Sequence, residues 1–200
     1  MLRNLYELDV LHTVCEVNKE IIDERKKAFP DVRYTSSYNE ILANKEIKAV
    51  VIATPAATHY QKAKEALLAD KDVYVEKPLA LKVEEGEELV KLAKERNRIL
   101  MVGHILRYHP AVIKLKELIK EGELGKIQYI YSNRLNIGKL RVEENILWSF
   151  APHDISVMLM LVGEEPVRVN AFGEAILNKD IHDVTLTILE FKIVSEAIFL

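Results

Sequence analysis

Residues 49–78, AVVIATPAATHYQKAKEALLADKDVYVEKP, decide the fold class of this chain. They open with a continuous apolar run at 49–53, which is typical of a strand buried on both faces of a parallel sheet. Apolar residues at helical spacing follow at 59–69, and residues 72–75 form a second predicted strand. A strand, a helix and a strand in this order predict a βαβ unit.

Strands and helices keep alternating on both sides of this unit. Further strands are predicted at residues 11–16 and 99–102, and further helices at 18–29, 38–43 and 84–96. This alternation is typical of a doubly wound parallel sheet. We therefore predict a Rossmann-type α/β domain over residues 1–104.

The pattern changes after Gly103. Helices are predicted at 110–122 and 152–162, and Pro152 suits the first turn of the second helix because its missing N–H is not needed there. Residues 167–175 and 184–191 alternate like strands with one solvent-exposed face. We therefore predict a second, α+β domain over residues 105–200, with an open, mostly antiparallel sheet.

Composition excludes several classes of function. The 200 residues carry a net charge of -3 without a basic stripe, so no nucleic-acid partner is expected. The longest apolar runs are far too short to span a bilayer, so no membrane partner is expected either. A single cysteine, Cys15, excludes a disulfide framework and favours a reducing cytoplasm. No metal site is expected, because four of the histidines lack the spacing of metal ligands: His12, His104, His109 and His182.

Glu16 ends the predicted strand at 11–16. In dinucleotide-binding folds, the acid at the end of the second strand accepts hydrogen bonds from ribose hydroxyls, although a solvated acid after a strand is the simpler interpretation. The usual companion, a G-x-G-x-x-G loop, is absent, because residues 1–15 contain no glycine. We therefore expect the first strand of the sheet and its glycine-rich loop to be missing. The apolar run at 193–200 also breaks off without a cap, so truncation is expected at both ends.

Thr54 and Pro55 close the strand at 49–53, and His59 lies in the first turn of the next helix. Ligands gather at the carboxyl ends of parallel strands, so all three residues are candidate cofactor contacts. The alternative is ordinary turn chemistry, in which a proline follows a strand and a polar residue opens a helix.

Glu76-Lys77-Pro78 directly follows the second strand of the βαβ unit. Burial lowers the pKa of a lysine, so that its ammonium can share a proton with a hydroxyl near neutral pH. Glu76 is placed to orient Lys77, and the bond before Pro78 is a candidate for the cis form. An ion pair at the end of a strand is the alternative.

In their order and spacing, these motifs closely resemble the glucose–fructose oxidoreductase (Gfo/Idh/MocA) family. The resemblance rests on residues 50–55, His59, and residues 73–80, 102–104 and 107–110. It implies a nucleotide-binding domain followed by an open-faced sheet, and the oxidation or reduction of a hydroxyl carbon of a sugar or cyclitol with NAD or NADP. It also implies that Lys77 contacts the reacting hydroxyl and the nicotinamide.

The second catalytic element of that family is an Asp-x-x-x-His motif at the start of a helix. Residues 148–155, WSFAPHDI, occupy its place, with His153 as the histidine and Ser149 where the aspartate usually stands. A helix N-terminus disfavours a cationic histidine, so we expect a neutral His153 that accepts a proton. Asp154 either compensates for the missing acid or only caps the helix, and a helix-capping His-Asp pair is the alternative to catalysis.

Residues 145–154 most resemble the branch that acts on nucleotide-linked sugars, such as the UDP-N-acetylglucosamine 3-dehydrogenases. Candidate contacts to the substrate are Arg107, Tyr108, Arg134 and Asp154. Arginine binds phosphate in a bidentate manner, which suits a diphosphate, although surface salt bridges would explain the charged residues equally well.

The leading hypothesis is therefore a cytoplasmic sugar dehydrogenase. Lys77 and His153 would handle the hydroxyl proton, and NAD is preferred to NADP because Glu16 would repel a 2′-phosphate. The resemblance also implies a homo-oligomer, a dimer or tetramer assembled through the C-terminal sheet. The second hypothesis is a non-catalytic, truncated remnant or assembly subunit, because the chain lacks the glycine-rich loop that would hold the pyrophosphate.

Overall fold

A computed structural model describes residues 1–135, 145–192 and 196–199, the last of these by backbone alone. The described α-helices are Leu2–Glu7 (α1), Lys19–Ala28 (α2), Tyr38–Ala43 (α3), His59–Leu68 (α4), Val83–Glu95 (α5), Pro110–Lys120 (α6) and Ile146–Val162 (α7). The described strands are Thr13–Cys15 (β1), Arg33–Thr35 (β2), Ala49–Ile52 (β3), Asp72–Val75 (β4), Leu100–Val102 (β5), Tyr129–Ser132 (β6), Arg168–Glu174 (β7), Val184–Glu190 (β8) and Glu196–Phe199 (β9). Short 3-10 helices lie at Ala56–Thr58 and Ile105–Tyr108.

The N-terminal strands confirm the predicted Rossmann-type fold class. β1 pairs in parallel with β2, and β3, β4 and β5 are neighbours in a second sheet, with α4 and α5 connecting them in the chain. A Rossmann sheet places its first strand between its second and fourth strands. β1 and β3 correspond to those two strands, and they lie in separate sheets of the described residues. β2, a strand of only three residues, was not predicted.

The backbone contacts group the chain into two compact units, and the first comprises residues 1–52, 61–74 and 87–101. The apolar positions expected on α4, Ala63, Ala66 and Leu67, are fully buried there. Lys71 is also buried, and its ammonium donates hydrogen bonds to the carbonyl oxygens of Asn44 and Ile47 at 2.6 and 2.8 Å. A buried charge needs such partners, so Lys71 fixes the chain just before β3.

The second unit comprises residues 53–60, 75–86 and 102–200. Its sheet has the strand order β6-β9-β8-β7, in which β6 and β9 are parallel and the other two pairings are antiparallel. This confirms the predicted open, mostly antiparallel sheet. Its core lies between the sheet and α7, with a buried cluster formed by Ala151, Met158, Leu189 and Phe191.

Helix α7 begins earlier than predicted. It starts at Ile146 rather than at residue 152, because the side chain of Asn145 caps it by accepting a hydrogen bond from the backbone N–H of Trp148. Pro152 therefore lies inside the helix, where it removes one backbone hydrogen bond, and does not open it. The helix ends at Gly163, whose φ of 82° is readily adopted by glycine.

Cys15 is exposed in the structure. Within the described residues, no helix combines the length and the apolar character that crossing a bilayer requires.

Candidate active site

The second unit collects the loops that follow β3, β4 and β5 together with residues 102–200. Every predicted site residue except Glu16 lies in this unit: Thr54, Pro55, His59, Glu76, Lys77, Arg107, Tyr108, Arg134, His153 and Asp154. The carboxyl ends of parallel strands meet at one edge of a sheet, which explains why the three loops come together.

Lys77 connects the loop after β4 with helix α7. Its Nζ donates a hydrogen bond to the backbone carbonyl oxygen of Ser149 at 2.5 Å. The bond between Lys77 and Pro78 is cis, as the sequence suggested. The hydrogen bond to the Ser149 carbonyl holds the lysine ammonium against the helix that also carries His153.

His153 lies one helical turn after Ser149 and is half-buried. Burial lowers its pKa below the ordinary histidine value, the nearby Lys77, His104 and Arg134 lower it further, and Asp154 opposes them. The ring is therefore neutral near pH 7 and can accept a proton. The predicted cause, the dipole at a helix N-terminus, is wrong, because His153 lies in the middle of α7.

Ser149 and His153 leave two polar atoms unsatisfied on the same side of α7. Within the described residues, Ser149 Oγ and His153 Nδ1 are both buried and have no hydrogen-bond partner. Residues four apart on a helix face the same direction. An aspartate at 149 would supply a carboxylate to this ring, so the serine leaves His153 without an acid one turn away.

Asp154 is paired with Arg134 and Ser132. Its carboxylate accepts hydrogen bonds from Arg134 Nε and Nη2 at 3.0 and 3.2 Å and from Ser132 Oγ at 2.9 Å. Its side chain is 11% exposed, whereas that of Arg134 is 39% exposed. Asp154 therefore fixes the end of β6 against α7, and it does not cap the helix as one of the two interpretations suggested.

The loop after β3 is organised by short polar contacts. Thr54 Oγ1 lies 2.7 Å from Thr58 Oγ1, and Thr54 and Pro55 are both exposed. His59 is only 1% exposed, and its Nδ1 and Nε2 lie 2.7 and 2.8 Å from the carbonyl oxygens of Pro78 and Thr54. Thr54 and Pro55 are accessible to a ligand, and both nitrogens of His59 are occupied by protein groups.

Arg107 and Tyr108 lie on the exposed 3-10 helix after β5. The neighbouring His104 was not among the predicted site residues, and its Nδ1 is buried without a partner in the described part of the chain. Burial, and then Arg107, lower the pKa of His104. Its position directly after Gly103, at the carboxyl end of β5, is the signal that would have identified it.

Glu16 lies in the first unit, at the carboxyl end of β1. Its Oε1 accepts hydrogen bonds from the backbone N–H groups of Val17 and Asn18 at 2.7 and 2.9 Å. An acid held in this way fits the ribose of a dinucleotide. The first glycine of the chain is Gly86, so none of the preceding residues forms a glycine-rich phosphate loop.

Glu76 is half-buried at the end of β4. Among the described residues, no group of three or more His, Cys, Asp or Glu side chains is arranged to hold a metal ion.

Two family models match the chain in sequence. Residues 8–104 match the oxidoreductase family model with an NAD-binding Rossmann fold. Residues 112–196 match the Gfo/Idh/MocA C-terminal domain model. Together these matches cover most of the chain.

Individual relatives agree with the models. The chain is 36% identical over 152 residues to UDP-N-acetylglucosamine 3-dehydrogenase of Acidithiobacillus ferrooxidans, covering 76% of this chain and 45% of that protein. It is 31% identical over 143 residues to scyllo-inositol 2-dehydrogenase (NADP(+)) of Bacillus subtilis, covering 70% of this chain and 39% of that protein. The chain thus spans about half the length, or less, of these curated relatives.

A solved structure matches the fold over nearly the whole chain. The crystal structure of a probable dehydrogenase from Thermotoga maritima superimposes with a TM-score of 0.87 at 24% identity, covering 99% of this chain and 63% of that one. On the evidence of the two family models and these relatives, the chain belongs to the Gfo/Idh/MocA family of oxidoreductases.

Proposed function

We propose that this chain is the core of an NAD(P)-dependent dehydrogenase that transfers a hydride between nicotinamide and a hydroxyl carbon of a sugar. The single observation that carries the proposal is the hydrogen bond from Lys77 Nζ to the Ser149 carbonyl oxygen. It places an ammonium beside the helix that bears His153, whose lowered pKa keeps the ring neutral. A hydrogen-bond donor in the loop after β4 is thereby held against the helix that carries the proton acceptor, and oxidation of an alcohol needs both.

In the proposed reaction, the carbon of the alcohol loses a hydride and its hydroxyl group loses a proton. A bound nicotinamide would supply the acceptor for the hydride that leaves the carbon. Lys77 donates a hydrogen bond to the hydroxyl oxygen and stabilises the negative charge that develops there as the proton leaves. His153 accepts that proton, and the C–O bond becomes a carbonyl. In the reverse direction His153 returns the proton to the oxygen.

Five residues are proposed to hold the cofactor: Glu16, Thr54, Pro55, Glu76 and Lys77. Glu16 favours NAD, because its carboxylate would repel the 2′-phosphate of NADP. The Bacillus subtilis relative is named as an NADP(+) enzyme, so both cofactors belong in the test.

We also propose that residues 1–104 form the nucleotide-binding domain and that residues 105–200 form the substrate and oligomerisation domain. The ranges of the two family models support these boundaries.

The proposed substrate is a nucleotide-linked sugar. The name of the Acidithiobacillus ferrooxidans relative supports this class. Arg107, Tyr108 and the partly exposed guanidinium of Arg134 are the proposed contacts, with Asp154 acting through Arg134. Arginine suits the diphosphate of such a substrate because of its planar, bidentate donors.

Cofactor binding is the first measurement. We expect NADH to quench or enhance the fluorescence of the 200-residue chain in a saturable manner, and NADPH to bind more weakly. With NAD present, UDP-N-acetylglucosamine should be oxidised faster than myo-inositol. The absence of saturable binding by either cofactor would contradict catalysis by this chain and favour the alternative, a non-catalytic remnant or assembly subunit.

We further propose a cytoplasmic homo-oligomer, a dimer or tetramer, assembled through the C-terminal sheet. The strand register places Tyr131 and Phe172 on the sheet face opposite the buried Leu189, and they are 61% and 62% exposed. Tyr129 stacks on Tyr131 with ring centroids 6.4 Å apart. An exposed aromatic surface of this kind is typical of a subunit interface.

The oligomeric state should respond to a charge on this face. We expect light scattering to give a multiple of the 22.9 kDa chain mass, and Tyr131→Glu to reduce it to the monomer mass because the charge would be buried without a partner. Val90→Glu, at an exposed apolar position of α5, should leave the mass unchanged. A monomeric wild-type chain would contradict the proposal.

A further inference from the structure

His59 is a buried imidazole that contacts two loops at once. It is the first residue of α4 and is 1% exposed. Its Nδ1 lies 2.7 Å from the carbonyl oxygen of Pro78, in the loop after β4. Its Nε2 lies 2.8 Å from the carbonyl oxygen of Thr54, in the loop after β3.

These contacts leave the ring no free nitrogen. A carbonyl oxygen only accepts hydrogen bonds, and an imidazole carries at least one N–H in every common protonation state. At least one contact is therefore an N–H···O hydrogen bond, and the other nitrogen also lies against the protein. A cofactor contact, which the sequence suggested for His59, would have to displace one of these carbonyls.

The contact at Pro78 bears directly on Lys77. The Pro78 carbonyl lies one residue beyond Lys77, and the Lys77 ammonium reaches Ser149 on α7. A shift in the backbone of this loop would move the ammonium. A misplacement of about 1 Å at a reacting group can lower a rate about 10²-fold.

We propose that His59 is a positioning residue that ties the Lys77 loop to the loop after β3 and touches neither cofactor nor substrate. This proposal rests on the proposed function insofar as Lys77 takes part in catalysis. The Nδ1 contact with Pro78 has the larger effect on the reaction, and the Nε2 contact with Thr54 anchors the ring.

Two substitutions separate the two contacts. The amide nitrogen of asparagine falls near the position of histidine Nδ1, and that of glutamine falls near the position of Nε2. His59→Asn therefore retains a donor toward Pro78, and His59→Gln retains a donor toward Thr54. Both variants replace the same buried ring with an uncharged amide, so a loss of folding stability alone would affect them alike.

The kinetic test compares kcat, the KM for sugar and the Kd for NADH. We expect His59→Gln to lower kcat about 10²-fold and His59→Asn to lower kcat only about 10-fold. The difference arises because only His59→Gln releases the Lys77 loop. In both variants the Kd for NADH should stay within about twofold of the wild-type value, as for a residue that makes no ligand contact. Equal losses of kcat in the two variants would overturn the proposal, and so would a large rise in the Kd for NADH.

A second measurement does not depend on catalysis. In the ¹H–¹⁵N spectrum, the amide signals of Lys77 and Leu79 should move in His59→Gln and remain near their wild-type positions in His59→Asn. Equal movement in both variants, or none in either, would overturn the positioning role. An inactive wild-type chain would count against the proposed function alone, because the amide signals still test His59.

If neither variant retains the wild-type circular dichroism spectrum, the positioning role of His59 is tested on the wild-type chain. We expect an exchange-protected His59 Nδ1–H signal with nuclear Overhauser contacts to Pro78 and Leu79. The absence of that signal would overturn the proposal.

Discussion

Replacing Lys77 with methionine is expected to lower kcat for sugar oxidation by about 10³-fold, because loss of one donor to a developing oxyanion typically costs about 10²–10³ in kcat. Methionine is similar in length and apolar character to the lysine stem, but it cannot donate to the Ser149 carbonyl or to a substrate hydroxyl. A loss of about 10³-fold corresponds to about 4 kcal/mol of transition-state stabilisation. Initial rates at saturating NAD and sugar measure the effect.

The matched control is Lys82→Met. Lys82 lies in the same unit, five residues further along the loop, and its side chain is exposed. The control should change kcat less than about twofold, because exposed substitutions away from special features are nearly neutral. A Lys77→Met variant as active as the Lys82→Met variant would contradict the role of Lys77.

The second large effect concerns His153 and the pH dependence of kcat/KM. The ring must be neutral to accept the hydroxyl proton, and burial together with Lys77 lowers its pKa below the ordinary value of about 6.5. The rate should therefore be constant near neutral pH and fall as the pH drops through this lowered pKa. His153→Asn should lower kcat/KM about 10²-fold or more and remove this acidic limb.

Ser149→Asp tests the same pKa in the opposite direction. A carboxylate one turn before His153 stabilises the imidazolium, so it should raise the pKa of His153 and move the acidic limb to higher pH. Ser149→Asn is the control, because it has nearly the same size as aspartate and no charge. Both variants retain the backbone carbonyl that Lys77 binds. If their acidic limbs coincide, His153 is not the group that titrates.

Much of the α/β half could be predicted because its signals are local. The apolar run at 49–53 and residues 72–75 became β3 and β4, and the helical spacing between them became α4. A strand buried on both faces must be apolar throughout, so its sequence is distinctive. β2 has only three residues, Arg33–Thr35, and its polar ends carry no such signal.

The site could be predicted only in part. The motifs predicted Lys77 and His153 as site residues, and the structure brings Lys77 to the helix that carries His153. The contacts of His59 could not be predicted, because its partners are backbone carbonyl oxygens, which every residue possesses. The predicted start of α7 was wrong because Pro152 suits a first turn. The capping by Asn145 depends on the fold of the preceding chain.

The position of β9 within its sheet has a consequence for the nascent chain. Among the described strands, β6 lies at one edge of its sheet and pairs with β9, more than sixty residues later in the sequence. Ribosomes add about 5–20 residues per second, so β6 emerges seconds before the strand that pairs with it. During that interval its exposed Tyr129 and Tyr131, and its free backbone donors and acceptors, can pair with other chains. Recovery of folded protein should therefore depend on chaperones that shield this segment until residues 196–199 have been synthesised.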